Sequence, residues 1–204
     1  MKKKNSPHFK TSREHTTFAP KPVDSPIIVL GVDPGTLVTG YGVITSLKGD
    51  VRILASGIIR NAQGTPLPDR LTRIHQELSR IMSSHRPIEF AIESAFYGKN
   101  VQSALKLGHA RGVSILAAAS LGIPVSEYSP REIKKALTGN GNSSKLQVQY
   151  MVRSILRSQE KPMTLDASDA IATALCHLQR LNGKGQVSRN WKSFVSAHPE
   201  RVIS

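Results

Sequence analysis

The chain has 204 residues, with 28 Lys and Arg against 14 Asp and Glu and a formal net charge of +14. That length holds one domain with a real hydrophobic core, and so basic a balance suits a polyanion, nucleic acid above all. The single Cys176 excludes an intrachain disulfide, and Met1-Lys2-Lys3-Lys4 runs into Asn5, Ser6, Pro7 and His8 with no apolar stretch behind it, so neither a secretory signal nor a membrane span is expected and a reducing cytoplasm is the default compartment.

Residues 1–26 carry a net +4, and are rich in Ser and Thr and poor in acids. They are expected to form a disordered basic arm that adds phosphate affinity, although an organelle transit peptide shares that composition. The apolar run Ile27 to Val32 stops at Asp33-Pro34-Gly35, as a buried strand stopped by turn residues does. Tyr41 to Ser46 and Val51 to Arg60 follow as strands separated by Lys48-Gly49-Asp50, a link short enough for an antiparallel hairpin. Leu67, Leu71, Ile74, Leu78 and Ile81 recur at helical spacing, with Pro66 or Pro68 placed to open the helix. Ile88 to Glu93 is the next strand. A helix from Val101 to Leu121 is rich in small residues that allow close approach by another helix or by the sheet, and Gly122 is its expected cap. Pro124 to Tyr128 gives a fifth strand and Pro130 to Leu137 a short helix. Beyond the loop Gly139-Asn140-Gly141-Asn142, helices are expected over 144–157 and 166–181. The tail 182–204 is again basic, net +3, which leaves +7 on the core 27–181.

Three hairpin strands followed by strands alternating with helices predict an α/β domain over 27–181: a mixed five-stranded sheet flanked by helices, the layout of the ribonuclease H-like fold. In that layout the first strand is central, and an acid at its end lies beside one at the end of the fourth. Asp33 and Glu93 fit those places. Asp166 and Asp169 stand three apart, so a helix puts both on one face while Ile171, Leu175 and Leu178 turn to the core.

Such a cluster is costly without counter-ions: two charges ~5 Å apart at an effective dielectric of ~20 repel by roughly 3 kcal/mol. Four carboxylates balance the charge of two Mg²⁺ ions, which prefer hard oxygen ligands, and ions roughly 3.5–4 Å apart can hold the attacking water and the leaving oxygen of an in-line phosphodiester displacement. Taken singly, Asp33 serves equally well to begin the Pro34-Gly35 turn and Asp166 as a helix N-cap. Glu93 ends an apolar strand, where a solvated acid has no structural purpose. The seven His residues show no paired ligand spacing, which argues against zinc. Lys134 and Lys145 flank the glycine loop, where an ammonium can reach a scissile phosphate and where solvated helix lysines are equally at home. Phe96 and Tyr97, beside Gly98, Lys99 and Asn100, are placed either to stack on an unpaired base or to pack against the next helix.

At these residues the chain resembles the RuvC family of bacterial Holliday junction resolvases over residues 27–181. Gly31-Val-Asp-Pro-Gly35 with Thr39-Gly-Tyr-Gly42, Ala91-Ile-Glu-Ser-Ala-Phe96, the run Asn100 to Gly112, and Asp166-Ala-Ser-Asp-Ala170 occur in the family's order. The resemblance implies that Asp33, Glu93, Asp166 and Asp169 bind two catalytic Mg²⁺ ions, with Mn²⁺ as a substitute, and that Lys134 and Lys145 are the family's functional lysines. It makes Phe96, Lys99, Lys106, Arg111, Lys134 and Lys145 the expected DNA contacts. It further implies a homodimer that nicks four-way junction DNA symmetrically, leaving 5′-phosphate and 3′-hydroxyl ends, with the branch-migration proteins RuvA and RuvB as partners. The helix Val101 to Leu121 is the candidate dimer seam. Leu37 replaces a basic residue common after the Asp-Pro-Gly turn.

Three rival readings share parts of this pattern. A non-catalytic junction-binding protein needs no clustered acids; an RNA-processing nuclease of the same fold differs in its later motifs from the Asn100 to Gly112 run; an actin-like sugar kinase needs a second glycine-rich phosphate loop, and none is visible.

Overall fold

Side chains alternate across the strand Ile27–Asp33 (β1), with Val29 packing on one side of the sheet and Leu30 and Val32 on the other. A strand apolar on both faces must be covered twice, and that requirement sets the architecture. The computed structural model describes residues 25–94, 101–156 and 164–183. Within them, Val38–Leu47 (β2) and Asp50–Arg60 (β3) follow β1 as an antiparallel meander. Leu67–His85 (α1), Glu89–Glu93 (β4), Val101–Ser120 (α2) and Val125–Tyr128 (β5) come next, then the helices Pro130–Thr138 (α3), Lys145–Leu156 (α4) and Leu165–Gly183 (α5). The strands pair in the order β3-β2-β1-β4-β5, and β1–β4 and β4–β5 are parallel. This is the expected mixed five-stranded sheet flanked by helices, with β1 at its centre.

The two faces carry separate cores. On one, Ile74 and Leu78 of α1 and Ala110 and Ala117 of α2 pack on Leu30, Val32 and Phe90. On the other, Ile133 and Leu137 of α3, Val148 and Val152 of α4 and Ile171, Leu175 and Leu178 of α5 pack on Val29, Ile44 and Ala91. Phe90, fully buried, contributes about 1.5–3 kcal/mol over its exposed state.

Most elements lie within a residue or two of the sequence reading. The exception is β2, which starts at Val38 and not at Tyr41. Gly40 has low strand propensity, but the ladder imposes the strand: Val38, Thr39 and Gly40 pair with Arg60, Ile59 and Ile58, and Gly40 also with Asp33. In α1, Pro68 occupies the first turn, where its missing N–H costs nothing. The small residues of α2 divide: Ala110, Ser114, Ala117 and Ala118 face inward, whereas Gly108, Gly112 and Ala119 are exposed. Cys176 is buried as expected, and burial pushes its thiol up to about 12.

Candidate active site

Asp33 is the last residue of β1 and Glu93 the last of β4, neighbouring parallel strands in register up to Val32 and Ile92. Strand alternation puts Asp33 on the side of Val29, and Glu93 on the side of Ala91, so both acids face the layer that contains α5. Close packing then brings α5 to them. A Cβ built on Gly31 would collide with the carbonyl oxygen of Ala170, and one built on Gly40 with that of Asp166. The helix backbone therefore rests directly on the strands, which only glycine permits. Because Gly40 is the ladder partner of Asp33, seating Asp166 on Gly40 sets the helix acids beside the strand acids.

Burial first, then the charges of Asp169 and Asp166, raise the Asp33 carboxyl from 3.8 to about 6, against an opposing pull from Lys145. Glu93 is raised from 4.5 to about 7, again by burial first and then by Asp33 and Asp169, with Lys145 and Lys134 opposing. All four acids and both lysines singled out in the sequence thus act within one field. Lys145 donates to Asp169 Oδ2 at 3.0 Å, and that bond holds its ammonium above the ordinary lysine range. The side chain of Asp169 is 16% exposed and that of Lys145 72%, so the acid is fixed and the lysine is at the mouth.

The turn after β1 does not depend on Asp33 for its closure. The Thr39 hydroxyl donates to Gly35 O at 2.7 Å, and the buried Asn61 amide donates to Thr36 O at 3.0 Å. At the start of α5, the Thr164 hydroxyl accepts from the N–H of Ala167 at 3.4 Å, the bond an N-cap makes, and Asp166 stands inside the first turn. Both carboxylates are therefore left for chemistry. The roles of Thr39, known in the sequence only as part of a motif, and of Asn61 escaped the sequence reading because their partners are carbonyl oxygens of a turn, which leave no pattern in residue types.

The donor set fits a divalent cation. Carboxylates that burial and repulsion push toward neutrality are relieved by a hard cation, and Mg²⁺ keeps several of its waters and so needs no closed protein cage. Among the described residues no group of three acidic, His or Cys side chains converges closely enough to form a ready-made cage.

Of the other expected DNA contacts, Lys106 is exposed on α2. Arg111 is paired with Glu127 of β5, so its guanidinium is already engaged. Phe96, Tyr97 and Lys99 lie outside the described residues. Leu37 is 37% exposed beside the turn that follows Asp33.

Residues 29–177 match the protein family described as crossover junction endodeoxyribonuclease RuvC. The chain is 45% identical over 177 residues to the crossover junction endodeoxyribonuclease RuvC of Salinibacter ruber, an alignment covering 86% of this chain and 99% of that one. Among solved structures it is similar to Thermus thermophilus RuvC in complex with Holliday junction substrate, with a TM-score of 0.72 and 33% identity over 76% of this chain and 96% of the other. The yeast mitochondrial Holliday junction resolvase Ydc2, at 14% identity and a TM-score of 0.54 over 76% of this chain and 81% of the other, shares the fold.

Proposed function

The chain belongs to the RuvC family of crossover junction endodeoxyribonucleases, and from that premise we propose how its site resolves a Holliday junction. It is a nuclease of four-way DNA junctions, and the family depends on divalent metal. In our reading Asp33, Glu93, Asp166 and Asp169 hold two Mg²⁺ ions, which, when bound, supply an activated water and neutralise charge on the leaving oxygen. The observation that carries this reading is the juxtaposition of the acids: Asp33 and Glu93 end neighbouring parallel strands, and the Asp166 backbone is seated on Gly40, the ladder partner of Asp33.

The protein's own groups do the rest. Asp33 and Glu93 must release their protons before they can act as ligands. Lys145 is engaged with Asp169 at 3.0 Å with its ammonium largely exposed, and a cation held by that carboxylate would leave the ammonium available to a scissile phosphate. Lys134 adds positive charge on the Glu93 side. The products are 5′-phosphate and 3′-hydroxyl ends.

We further read the protein as a homodimer whose two sites nick symmetric strands of the junction. On α2, Val101, Leu105 and Leu116 are 74%, 60% and 57% exposed, and Gly108 and Gly112 are exposed between them. A helix face that is apolar and small in the middle suits a second copy of itself. RuvA and RuvB as partners rest on the family resemblance alone. Residues 27–181 form the nuclease domain in this reading, and the basic segments 1–26 and 182–204 add phosphate affinity. Among the described residues no helix is long and apolar enough to cross a membrane, and the cytoplasm is the compartment we propose.

The test is cleavage of a synthetic four-way junction, a linear duplex and an RNA·DNA hybrid, with Mg²⁺ or EDTA, by wild type and Asp33→Asn. Mg²⁺-dependent paired nicks on the junction, lost in the variant, are expected. Junction binding without cleavage in any metal would indicate a scaffold, and preferential hybrid cutting an RNA-directed nuclease.

A further inference from the structure

The other end of α5 carries a second polar cluster, which the chemistry above does not use. His177, 3% exposed, places Nδ1 2.7 Å from the Tyr128 hydroxyl and Nε2 3.3 Å from Glu89 Oε2. Both ring nitrogens of His177 thus have side-chain partners, the Tyr128 hydroxyl at Nδ1 and the Glu89 carboxyl at Nε2. Arg180, one turn further, lies 5.2 Å from the Tyr128 ring centroid and donates to Glu132 Oε1 at 2.9 Å. Glu132 in turn completes the capping box of α3 with Ser129.

Each element tied here carries or adjoins a functional residue. Glu89, Ala91 and Glu93 alternate onto one face of β4, so the strand meets His177 at its start and the active site at its end. Tyr128 is the ladder partner of Glu93. Asp166 and Asp169 open the helix whose later turns carry His177 and Arg180, and α3 carries Lys134. From Glu89 to Glu93 a strand rises about 13 Å, and from Asp169 to His177 a helix rises about 12 Å, so two matched lengths are fastened at one end and meet at the other.

Close seats join the first half of α5 to the sheet, and a tie further along the helix adds to them. Ala170 and Ala174 of α5 rest on Gly31, Ile171 rests on Gly42 and the Asp166 backbone on Gly40, all within the first ten residues of the helix. A slip of one residue would move the helix acids about 1.5 Å along the axis and turn them about 100°. Metal and catalytic geometry tolerates about 0.5 Å. Hydrogen bonds at fixed distances beyond those seats add resistance to such a slip.

We propose that Tyr128, His177 and Glu89 are positioning residues, which fix where α5 stops along the sheet and so set Asp166 and Asp169 against Asp33 and Glu93. The proposal rests on the reading of those four acids as metal ligands. Its test uses the full chain and Mn²⁺ as probe, with free Mn²⁺ followed by electron paramagnetic resonance, in wild type, Tyr128→Phe, His177→Leu and the control Val148→Ala. Val148→Ala trims a buried residue of α4 in the same core and removes none of the cluster's hydrogen bonds. Tyr128→Phe keeps the ring over which Arg180 sits and removes only the hydroxyl.

Both cluster variants are expected to raise the Mn²⁺ dissociation constant about tenfold and to lower kcat on the junction about tenfold with KM unchanged, effects of the size expected when supporting residues misplace a site. The control is expected to lower the melting temperature and leave Mn²⁺ affinity at the wild-type value. If Tyr128→Phe and every folded His177 variant bind Mn²⁺ like wild type and only melt earlier, the cluster is a stability contact and the proposal is overturned. If His177→Leu does not fold, Tyr128→Phe decides alone. Absence of saturable Mn²⁺ binding in wild type would overturn the metal reading beneath the proposal, a result distinct from unchanged affinity in the variants.

Discussion

At the start of α5, Asp166 and Asp169 share a field with Asp33 and Glu93, and burial and repulsion keep protons on the last two up to about 6 and 7. Eleven residues along the same helix, His177 is just as enclosed, yet both of its ring nitrogens have protein partners. The first cluster lacks a counter-ion that the protein does not supply in full, since one lysine bond to Asp169 answers four acids. The second is complete in itself. The difference separates a group built to take a ligand from a group built to hold the fold: the former is satisfied only when something binds.

The strongest way to break that contrast is to remove one acid. Glu93→Gln is expected to lower junction cleavage about 10²- to 10³-fold, because charge stabilisation at the reacting phosphate is lost. The same substitution should leave the metal-free protein as stable as wild type or more so at pH 8, since it removes a self-repelling charge. A fall in stability together with activity would assign Glu93 to the fold. Steady-state kinetics on the junction and a thermal melt in EDTA give both readouts.

Next in size is Gly40→Ala. Its Cβ would collide with the Asp166 backbone, so α5 must lift at the end that carries the acids. A cost of about 1–3 kcal/mol is expected, with loss of Mg²⁺ affinity. Gly49→Ala, with open space around its Cβ, is the comparison for side-chain crowding: it should lose stability through its left-handed backbone, φ +87°, and keep metal affinity. Metal titration of both variants separates crowding at the site from general destabilisation.

A smaller effect concerns pH. Asp33 and Glu93 have folded-state values above their ordinary 3.8 and 4.5, so their contribution to stability is complete below about 4 and is lost as pH rises through about 6 and 7. The metal-free melting temperature of wild type should therefore fall between pH 5 and 8 relative to Asp33→Asn/Glu93→Gln. Mg²⁺ should reverse the difference in wild type alone, and parallel pH curves for the two proteins would contradict the assigned shifts. The smallest effect is expected at Lys145. Its head is largely exposed, so Lys145→Met should change stability little at any pH while slowing cleavage.

The sequence made the acids legible because each stands at the edge of a strong local pattern: Asp33 after an apolar run, Glu93 at the end of another, Asp166 and Asp169 at helical spacing. Element types were legible for the same reason, and β2 was read short only where Thr39 and Gly40 take strand form from their neighbours. What holds the acids in place was not legible. Thr39 and Asn61 bond to carbonyl oxygens of a turn, and the partners of His177 lie 49 and 88 residues away in the chain. The seats at Gly31 and Gly40 look in sequence like any strand glycine. Phe96 and Lys99, prominent in the sequence reading, lie outside the described residues and stay expectations.

The central claim is that Asp33 and Glu93 hold protons which a metal must displace. Calorimetric titration of Mg²⁺ into the full chain, in buffers of different ionisation enthalpy, counts those protons directly. Release approaching one proton or more per chain at pH 6.5, shrinking toward zero at pH 8.5 and reduced in Glu93→Gln, is the predicted result. Mg²⁺ binding with no proton release at pH 6.5, the same in wild type and variant, would contradict it.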